Sequence, residues 1–183
     1  CLVGSEMCIR DSPEVRCYRY WPELSSDCRL MTKLLRDLTD YSMSDQLTKQ
    51  RSDLCNLLRR AYLSCLPLTE GTNKTLTYTS RVSCAYMPLD SPKMMEALLN
   101  LIVNALDAVS DNGSVQIILT KSNEQFVVSI IDDGCGIAPK QLLTIFHPFT
   151  TTKPDGTGLG LPVAKRIIEG PVSYTHLTLP TTE

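Results

Sequence analysis

Apolar residues recur three and four positions apart within 29–66, on either side of a polar stretch at 42–52. Because this spacing places them on one side of an α-helix, the pattern predicts a helix, a short break and a second helix. A loop with a proline, a glycine and an asparagine follows at 67–75. The alternating residues at 76–87 then predict one β-strand.

The next predicted helix, 92–109, has two faces. Asp90 and Pro92 stand where a helix N-cap and first turn favour these residue types. A polar row lies within an arc of roughly 80°, at about 100° per residue. The row consists of Glu96, Asn100, Asn104 and Asp107. The opposite, core-facing side consists of Leu98, Ile102, Ala105, Leu106 and Val109. The row suits a solvated face or a binding surface equally well, although asparagines are poor helix formers.

Two β-branched runs at 114–120 and 126–131 predict a hairpin. The second run leads directly into Asp132, Gly134 and Gly136. A carboxylate and two glycines therefore stand at a strand end, where ligand sites often form.

A long irregular connection follows a short helix through 142–143, and such connections are typical of a lid or of disorder. It ends in Asp-Gly-Thr-Gly-Leu-Gly-Leu-Pro-Val at 155–163, before an amphipathic helix that ends near Glu169. Glycines let backbone amides approach an anion, and the helix dipole favours negative charge. By itself this segment (155–163), which we call the glycine string, fits a phosphate cradle or a flexible turn. It is neither a P-loop, because no Gly-Lys-Ser/Thr follows, nor a Rossmann fingerprint, whose third glycine would fall at Leu161.

Composition narrows the class of protein. With 183 residues, 43% of them hydrophobic, and a net charge of -2, the chain fits one globular domain with an appendage and does not suggest a nucleic-acid partner. No apolar run approaches the ~20 residues of a membrane helix, and the first residues lack a basic signal-peptide start. We therefore expect a soluble, cytoplasmic chain without membrane contact, with any membrane anchor outside it. Eight cysteines without a Cys-x-x-Cys pair, and two histidines, favour scattered reduced thiols over a zinc site.

Both ends of the chain look foreign to a folded domain. Residues 1–12 and 171–183 resemble translated sequencing-adapter read-through. We expect them to be artefacts and exclude them from functional reasoning. Ordinary disordered termini would be the alternative, and the functional interpretation is the same in both cases.

Four motifs occur in a fixed order at 100–108, 132–137, 146–153 and 156–161. They read Asn-Leu-Ile-Val-Asn-Ala-Leu-Asp-Ala, Asp-Asp-Gly-Cys-Gly-Ile, Phe-His-Pro-Phe-Thr-Thr-Thr-Lys and Gly-Thr-Gly-Leu-Gly-Leu. In order and spacing they resemble the nucleotide boxes of the sensor histidine kinase ATPase domain, in the GHKL superfamily. The resemblance covers roughly 66–170, and the helical segment 13–65 looks like the second helix of the kinase dimerisation hairpin. It implies an α/β fold, an α+β two-layer sandwich of the Bergerat type with a mixed sheet, preceded by part of that hairpin.

The resemblance also implies roles for individual residues. Asn104 would coordinate the Mg²⁺ that bridges the phosphates, and Asp132 would accept a hydrogen bond from the exocyclic amine of adenine. Phe146 and Phe149 would anchor the lid, and Lys153 would lie near the phosphates. The expected ATP-binding set is Asn100, Asn104, Asp132, Gly134, Gly136, Ile137, Phe149, Thr152, Lys153, Gly156, Thr157, Gly158, Leu159, Gly160 and Leu161.

The implied activity is that of a protein histidine kinase with ATP and Mg²⁺ as cofactors. The γ-phosphate would pass to a histidine and then to a response regulator receiver domain, in a homodimer joined through the hairpin. Because no histidine precedes His147, we expect the phosphoacceptor to lie outside this chain. The domain at 66–170 would also lack its final strands, so that the fragment would be inactive alone.

Two alternatives belong to other functional classes. One is a regulatory nucleotide-binding module without kinase activity. The other is a different GHKL ATPase, such as a serine-directed anti-sigma kinase or a mismatch-repair type ATPase. The Thr-Thr-Lys sequence of the lid and the upstream helix pair favour the histidine kinase over the latter.

Overall fold

The computed structural model describes residues 20–43, 48–123, 125–153 and 156–169, so the expected artefacts at 1–12 and 171–183 lie outside the described residues. The helices are α1 (Trp21–Met43), α2 (Leu54–Cys65), α3 (Ser91–Ala108), the four-residue α4 (Pro139–Leu142) and α5 (Gly160–Ile168). The strands are β1 (Gln50–Asp53), β2 (Thr75–Ser80), β3 (Tyr86–Leu89), β4 (Ser114–Ser122) and β5 (Gln125–Asp132), and a 3₁₀ turn spans Leu66–Thr69. None of the helices in the described ranges has the length and apolarity that a bilayer crossing requires.

The first half of the chain corrects two of the sequence predictions. The helix expected from residue 29 begins at Trp21, and the polar break contains strand β1, which pairs antiparallel with β3. The single strand expected at 76–87 is two strands in different sheets. The reason is a local turn, because Ser80 Oγ donates to the Val82 carbonyl at 2.6 Å and accepts from the Val82 amide at 3.3 Å.

The main sheet has the order β2-β4-β5 and is mixed, as predicted. Strands β2 and β4 are parallel, whereas β4 and β5 form the expected antiparallel hairpin with Ser122 opposite Gln125. Side chains of β4 alternate, with Val115, Ile117 and Leu119 fully buried. The helices therefore cover one face of the sheet, which gives a two-layer sandwich.

Helix α3 begins as the sequence predicts and carries three faces. Asp90 is its N-cap and accepts a hydrogen bond from the Lys93 amide at 3.0 Å. All five residues predicted to face the core are buried there. A third edge, which the sequence analysis did not identify, packs against α5. On a helical wheel this edge, formed by Met94, Ala97 and Leu101, lies between the core face and the polar row.

Helix α2 belongs to the same core as α3 and the sheet. Leu58 and Ala61 are completely buried, and Asp53 caps the helix by accepting from the Cys55 amide at 3.1 Å. Helix α2 therefore shares one core with α3 and the sheet. The limits of the domains themselves stay a prediction.

Candidate functional site

The polar row of α3 meets the segment between α4 and α5, whose described residues, 143–153 and 156–159, we call the lid segment. Lys153 Nζ donates to Asp107 Oδ2 at 2.7 Å and to Asn104 Oδ1 at 3.1 Å. Both partners lie on the face of α3 that points away from the sheet. The structure therefore joins two of the predicted ATP-binding residues, Asn104 and Lys153, through a direct contact.

The first residue of α5 lies against the same row. A Cβ placed on Gly160 would lie 3.5 Å from Asn100 Oδ1 and 3.8 Å from Asn104 Nδ2. The N-terminus of α5, where unpaired amides and the helix dipole attract anions, is thus beside the two asparagines. These are ordinary van der Waals distances, so the start of α5 and the two asparagines lie next to each other.

The glycine string closes the lid segment on itself. The Phe149 amide donates to the Gly158 carbonyl at 3.0 Å, and Gly158 has φ +66°. A Cβ on Gly158 would lie 2.5 Å from the carbonyl carbon of Phe149, so the close approach excludes any side chain. On Gly156, a Cβ would clash with Thr151 Oγ1.

A second group of predicted residues lies where β5 ends beside the C-terminus of α3. Asp132 Oδ1 accepts from the Gly134 amide at 3.0 Å, and the Cys135 amide donates to the Ala108 carbonyl at 3.1 Å. A Cβ on Gly134 would lie 2.6 Å from that same carbonyl oxygen. The carboxylate of Asp132 is exposed, so it can accept a further hydrogen bond from a ligand.

The neighbouring Asp133 fastens this strand end to the hairpin. Its Oδ1 accepts from the Ser114 amide at 2.7 Å and its Oδ2 from the Ser114 hydroxyl at 2.8 Å. These two donors, with the backbone amide the larger influence, hold the pKa of Asp133 below the usual aspartate range. Asp133 therefore holds the end of β5, where Asp132 stands, against the start of β4.

Other predicted residues range from buried to exposed positions. Leu159 is fully buried and Leu161 is half-buried, so their side chains hold the glycine string in place while its backbone faces the site. Ile137 is 42% exposed beside the Asp132 loop, and Thr152 is exposed in the lid segment. Thr157 Oγ1 accepts from the Leu159 amide at 3.4 Å.

Phe149 holds the lid segment through its backbone rather than through its ring. The residue is 64% exposed and its φ is +65°, so its side chain does not pack in the core. Phe146 is half-buried and lies under Lys165 of α5, whose Nζ is 4.8 Å from the ring centroid. The lid segment is thus held by Phe146, by the backbone contact of Phe149 and by Leu159.

Asp107 makes a contact that the sequence did not predict. It stands in the polar row of α3, and it is the closer of the two partners of Lys153. Its place one turn beyond Asn104 was the signal, but the sequence does not show which cation lies opposite.

The donor chemistry of this site fits Mg²⁺ held together with an anion. Mg²⁺ prefers oxygen ligands, keeps several waters and is usually bound by one or two protein groups plus substrate phosphates. The amide oxygen of Asn104, with that of Asn100 in the same row, meets this description. In the described ranges, no group of three His, Cys, Asp or Glu side chains is placed to hold a metal without such an anion.

Comparison with known proteins agrees with this geometry. The protein family described as histidine kinase-, DNA gyrase B-, and HSP90-like ATPase matches residues 89–182. The chain is 29% identical over 147 residues to the sensor histidine kinase ZraS of Salmonella typhimurium, a match that covers 80% of this chain and 32% of that protein. The chain therefore spans about a third of the length of this curated relative.

Solved structures give the same fold. The catalytic domain of histidine kinase ThkA superposes with a TM-score of 0.62 and 28% identity, covering 67% of this chain and 81% of that one. The structure of ThkA in complex with the response regulator TrrA superposes with a TM-score of 0.69 and 24% identity, covering 91% of this chain and 48% of the ThkA chain.

Proposed function

Because this chain belongs to the family of histidine kinase-, DNA gyrase B- and HSP90-like ATPases, we propose that it is the ATP-binding catalytic module of a sensor histidine kinase, working with Mg²⁺. The observation that carries the proposal is the meeting of three anion- and cation-binding features at one place. The amide oxygen of Asn104, the ammonium of Lys153 and the N-terminus of α5 at Gly160 lie together.

In this proposal the two groups of residues bind opposite ends of ATP. Asp132 accepts a hydrogen bond from the exocyclic amine of adenine, which guanine replaces with a carbonyl. The backbone around Gly134 and Gly136 lies close to the ring. At the other end, the amides of the glycine string and of the first turn of α5 bind the phosphates.

Asn104 would hold the metal through its amide oxygen, with Asn100 beside it. The bound Mg²⁺ supplies charge neutralisation at the phosphates, which is the main requirement of phosphoryl transfer. Lys153 adds a second positive charge near the phosphates, and its contact with Asp107 limits the positions of its side chain. The buried Leu159 fixes the backbone that delivers the amides.

The similar proteins support an extension of the proposal to the activity of the whole protein. The γ-phosphate would pass to a histidine outside this chain and then to an aspartate of a response regulator in the cytoplasm. ThkA was solved in complex with a response regulator, which supports a receiver domain as the partner. Helix α1 would belong to the hairpin through which two protomers associate.

Titration of a fluorescent ATP analogue, with Mg²⁺ or with a chelator, tests the proposal. We expect Mg²⁺-dependent binding by the unmodified chain. In Asn104→Ala the affinity should fall about tenfold or more, because Mg²⁺ loses the amide oxygen that would hold it. Asn56→Ala, which removes an exposed amide from α2, is the matched control and should bind normally. Absence of binding by the unmodified chain would contradict the proposal, and equal affinity of Asn104→Ala would contradict the metal-binding role.

A further inference from the structure

The contact between Lys153 and α3 links segments that are far apart in the sequence. Lys153 lies 46 residues after Asp107 and 49 residues after Asn104. This contact ties the lid segment to the helix that carries the polar row, directly beside the glycine string. Opening the lid segment there requires the ammonium to leave both oxygens.

The two partners of Lys153 are chemically unequal. The Asp107 carboxylate makes the shorter, charge-assisted bond at 2.7 Å, whereas the neutral Asn104 amide accepts at 3.1 Å. The Lys153 and Asp107 side chains are 41% and 50% exposed, so water screens the pair and the contact is weak enough to break and re-form. The Asp107 carboxylate therefore attracts the Lys153 ammonium more strongly, and in this position the ammonium also contacts Asn104 Oδ1.

The oxygen that receives the ammonium is the one we assign to the metal. A lysine ammonium and a divalent cation on the same amide oxygen would repel each other strongly. Binding of either cation there consequently disfavours the other.

We propose that Asp107 is a positioning residue that holds Lys153 on Asn104 Oδ1, so that a divalent cation binding to Asn104 displaces Lys153 and releases the lid segment from α3. The metal half of this statement rests on the proposed function, because it uses the role of Asn104. The other part, the contact of Lys153 with Asp107 and Asn104, which we call the tether, rests on the observed distances alone.

The backbone around Lys153 keeps the displaced side chain near the glycine string. The Lys153 amide donates to Thr151 Oγ1 at 3.1 Å, and its carbonyl accepts from the Gly156 amide at 3.2 Å. These bonds do not involve the ammonium. A released Lys153 can therefore swing toward an anion on the glycine string without unfolding this turn.

Hydrogen exchange of lid-segment peptides, followed by mass spectrometry, tests the tether on the full chain without nucleotide. We expect Asp107→Asn and Lys153→Met each to speed exchange roughly two- to fivefold, the range for an exposed ion pair. The double variant should be no faster than either single one, because both remove one contact. Glu96→Gln, which removes the other ion pair of the polar row, with Lys93, is the control and should leave lid exchange unchanged. Additive effects, or no effect in the single variants, would overturn the proposal.

Titration of Mg²⁺ alone, against NaCl at equal ionic strength, tests the displacement. Mg²⁺ should speed lid exchange in the unmodified chain more than NaCl does, and should have no such excess effect in Lys153→Met. Equal effects of the two salts on the unmodified chain would show that the cations do not compete. Because nucleotide is absent, these results are independent of the ATP-analogue titration: the tether can hold while nucleotide binding fails, and the reverse.

Discussion

The Gly158 carbonyl accepts a hydrogen bond from the Phe149 amide, and both residues have a positive φ, at 66° and 65°. The lid segment therefore doubles back on itself at two backbone positions that L side chains rarely adopt. Glycine tolerates this at 158, whereas Phe149 adopts it with its ring exposed. This pairing sets the shape of the glycine string before α5 begins.

Gly158→Ala tests whether nucleotide binding depends on the shape of the glycine string. The new methyl group meets the Phe149 backbone at 2.5 Å and adds the cost of a positive φ, about 1–2 kcal/mol. We expect ATP-analogue affinity to fall about tenfold or more in a titration, because the amides that face the phosphates are displaced. Gly71→Ala has a similar φ of +76° and no neighbour within 4 Å, so it controls for strain and should bind normally. Equal losses in both variants would assign the effect to strain rather than to the string.

Asp132→Asn should weaken the preference for adenine while keeping the loop intact. An asparagine oxygen can still accept from the Gly134 amide, but its amide group can also donate to a guanine carbonyl. We expect the ratio of ATP to GTP affinity to fall about tenfold, as for one exchanged polar contact. Competition of both nucleotides against a fluorescent analogue measures the ratio. Asp27→Asn, at an exposed position on α1, should not alter it, and an unchanged ratio in Asp132→Asn would contradict the adenine contact.

Leu58→Ala tests whether α2 shares the core of the nucleotide-binding unit. Leu58 is completely buried in the cluster that includes α3 and β4. Its truncation should cost about 2–5 kcal/mol in free energy of unfolding, measured by urea denaturation. Leu63→Ala, on the same helix but 52% exposed, should cost far less. A small effect at both positions would place α2 outside the cooperative unit.

Asp133→Asn should remove a pH-dependent part of the stability. The pKa of Asp133 is lowered in the folded chain by the Ser114 amide and hydroxyl, so its stabilisation is fully present above the unfolded aspartate value of about 4. It is lost as the pH falls below that value and through the lower folded pKa. The stability difference between Asp133→Asn and the unmodified chain should therefore be largest near neutral pH and shrink in acid. Urea denaturation at several pH values measures it, with the exposed Asp111→Asn as control; a difference that does not change with pH would contradict the role of Ser114.

The elements that were predicted best from the sequence are those that nearby residues determine. Helix α3 follows from its cap at Asp90 and from the spacing of its apolar and polar residues. The hairpin follows from two β-branched runs with a polar turn. In each case neighbours within one element determine the structure.

The errors arise where distant residues decide the structure. Strand β1 reads Gln-Arg-Ser-Asp and has no apolar alternation, so it exists because β3 lies beside it. The break between β2 and β3 depends on one serine side chain. Similarly, the partner of Lys153 is 46 residues away, and no periodicity within either segment indicates that pairing.

Ala97 shows how a buried residue between two helices can affect the distance between parts of the site. It is completely buried beneath α5, in contact with the cluster that includes Ala164 and Ile167. Small side chains at a helix interface allow the two axes to approach closely. The same approach brings Gly160 to Asn100. The single methyl group of Ala97 thus helps to set the distance between the asparagines of α3 and the first residue of α5.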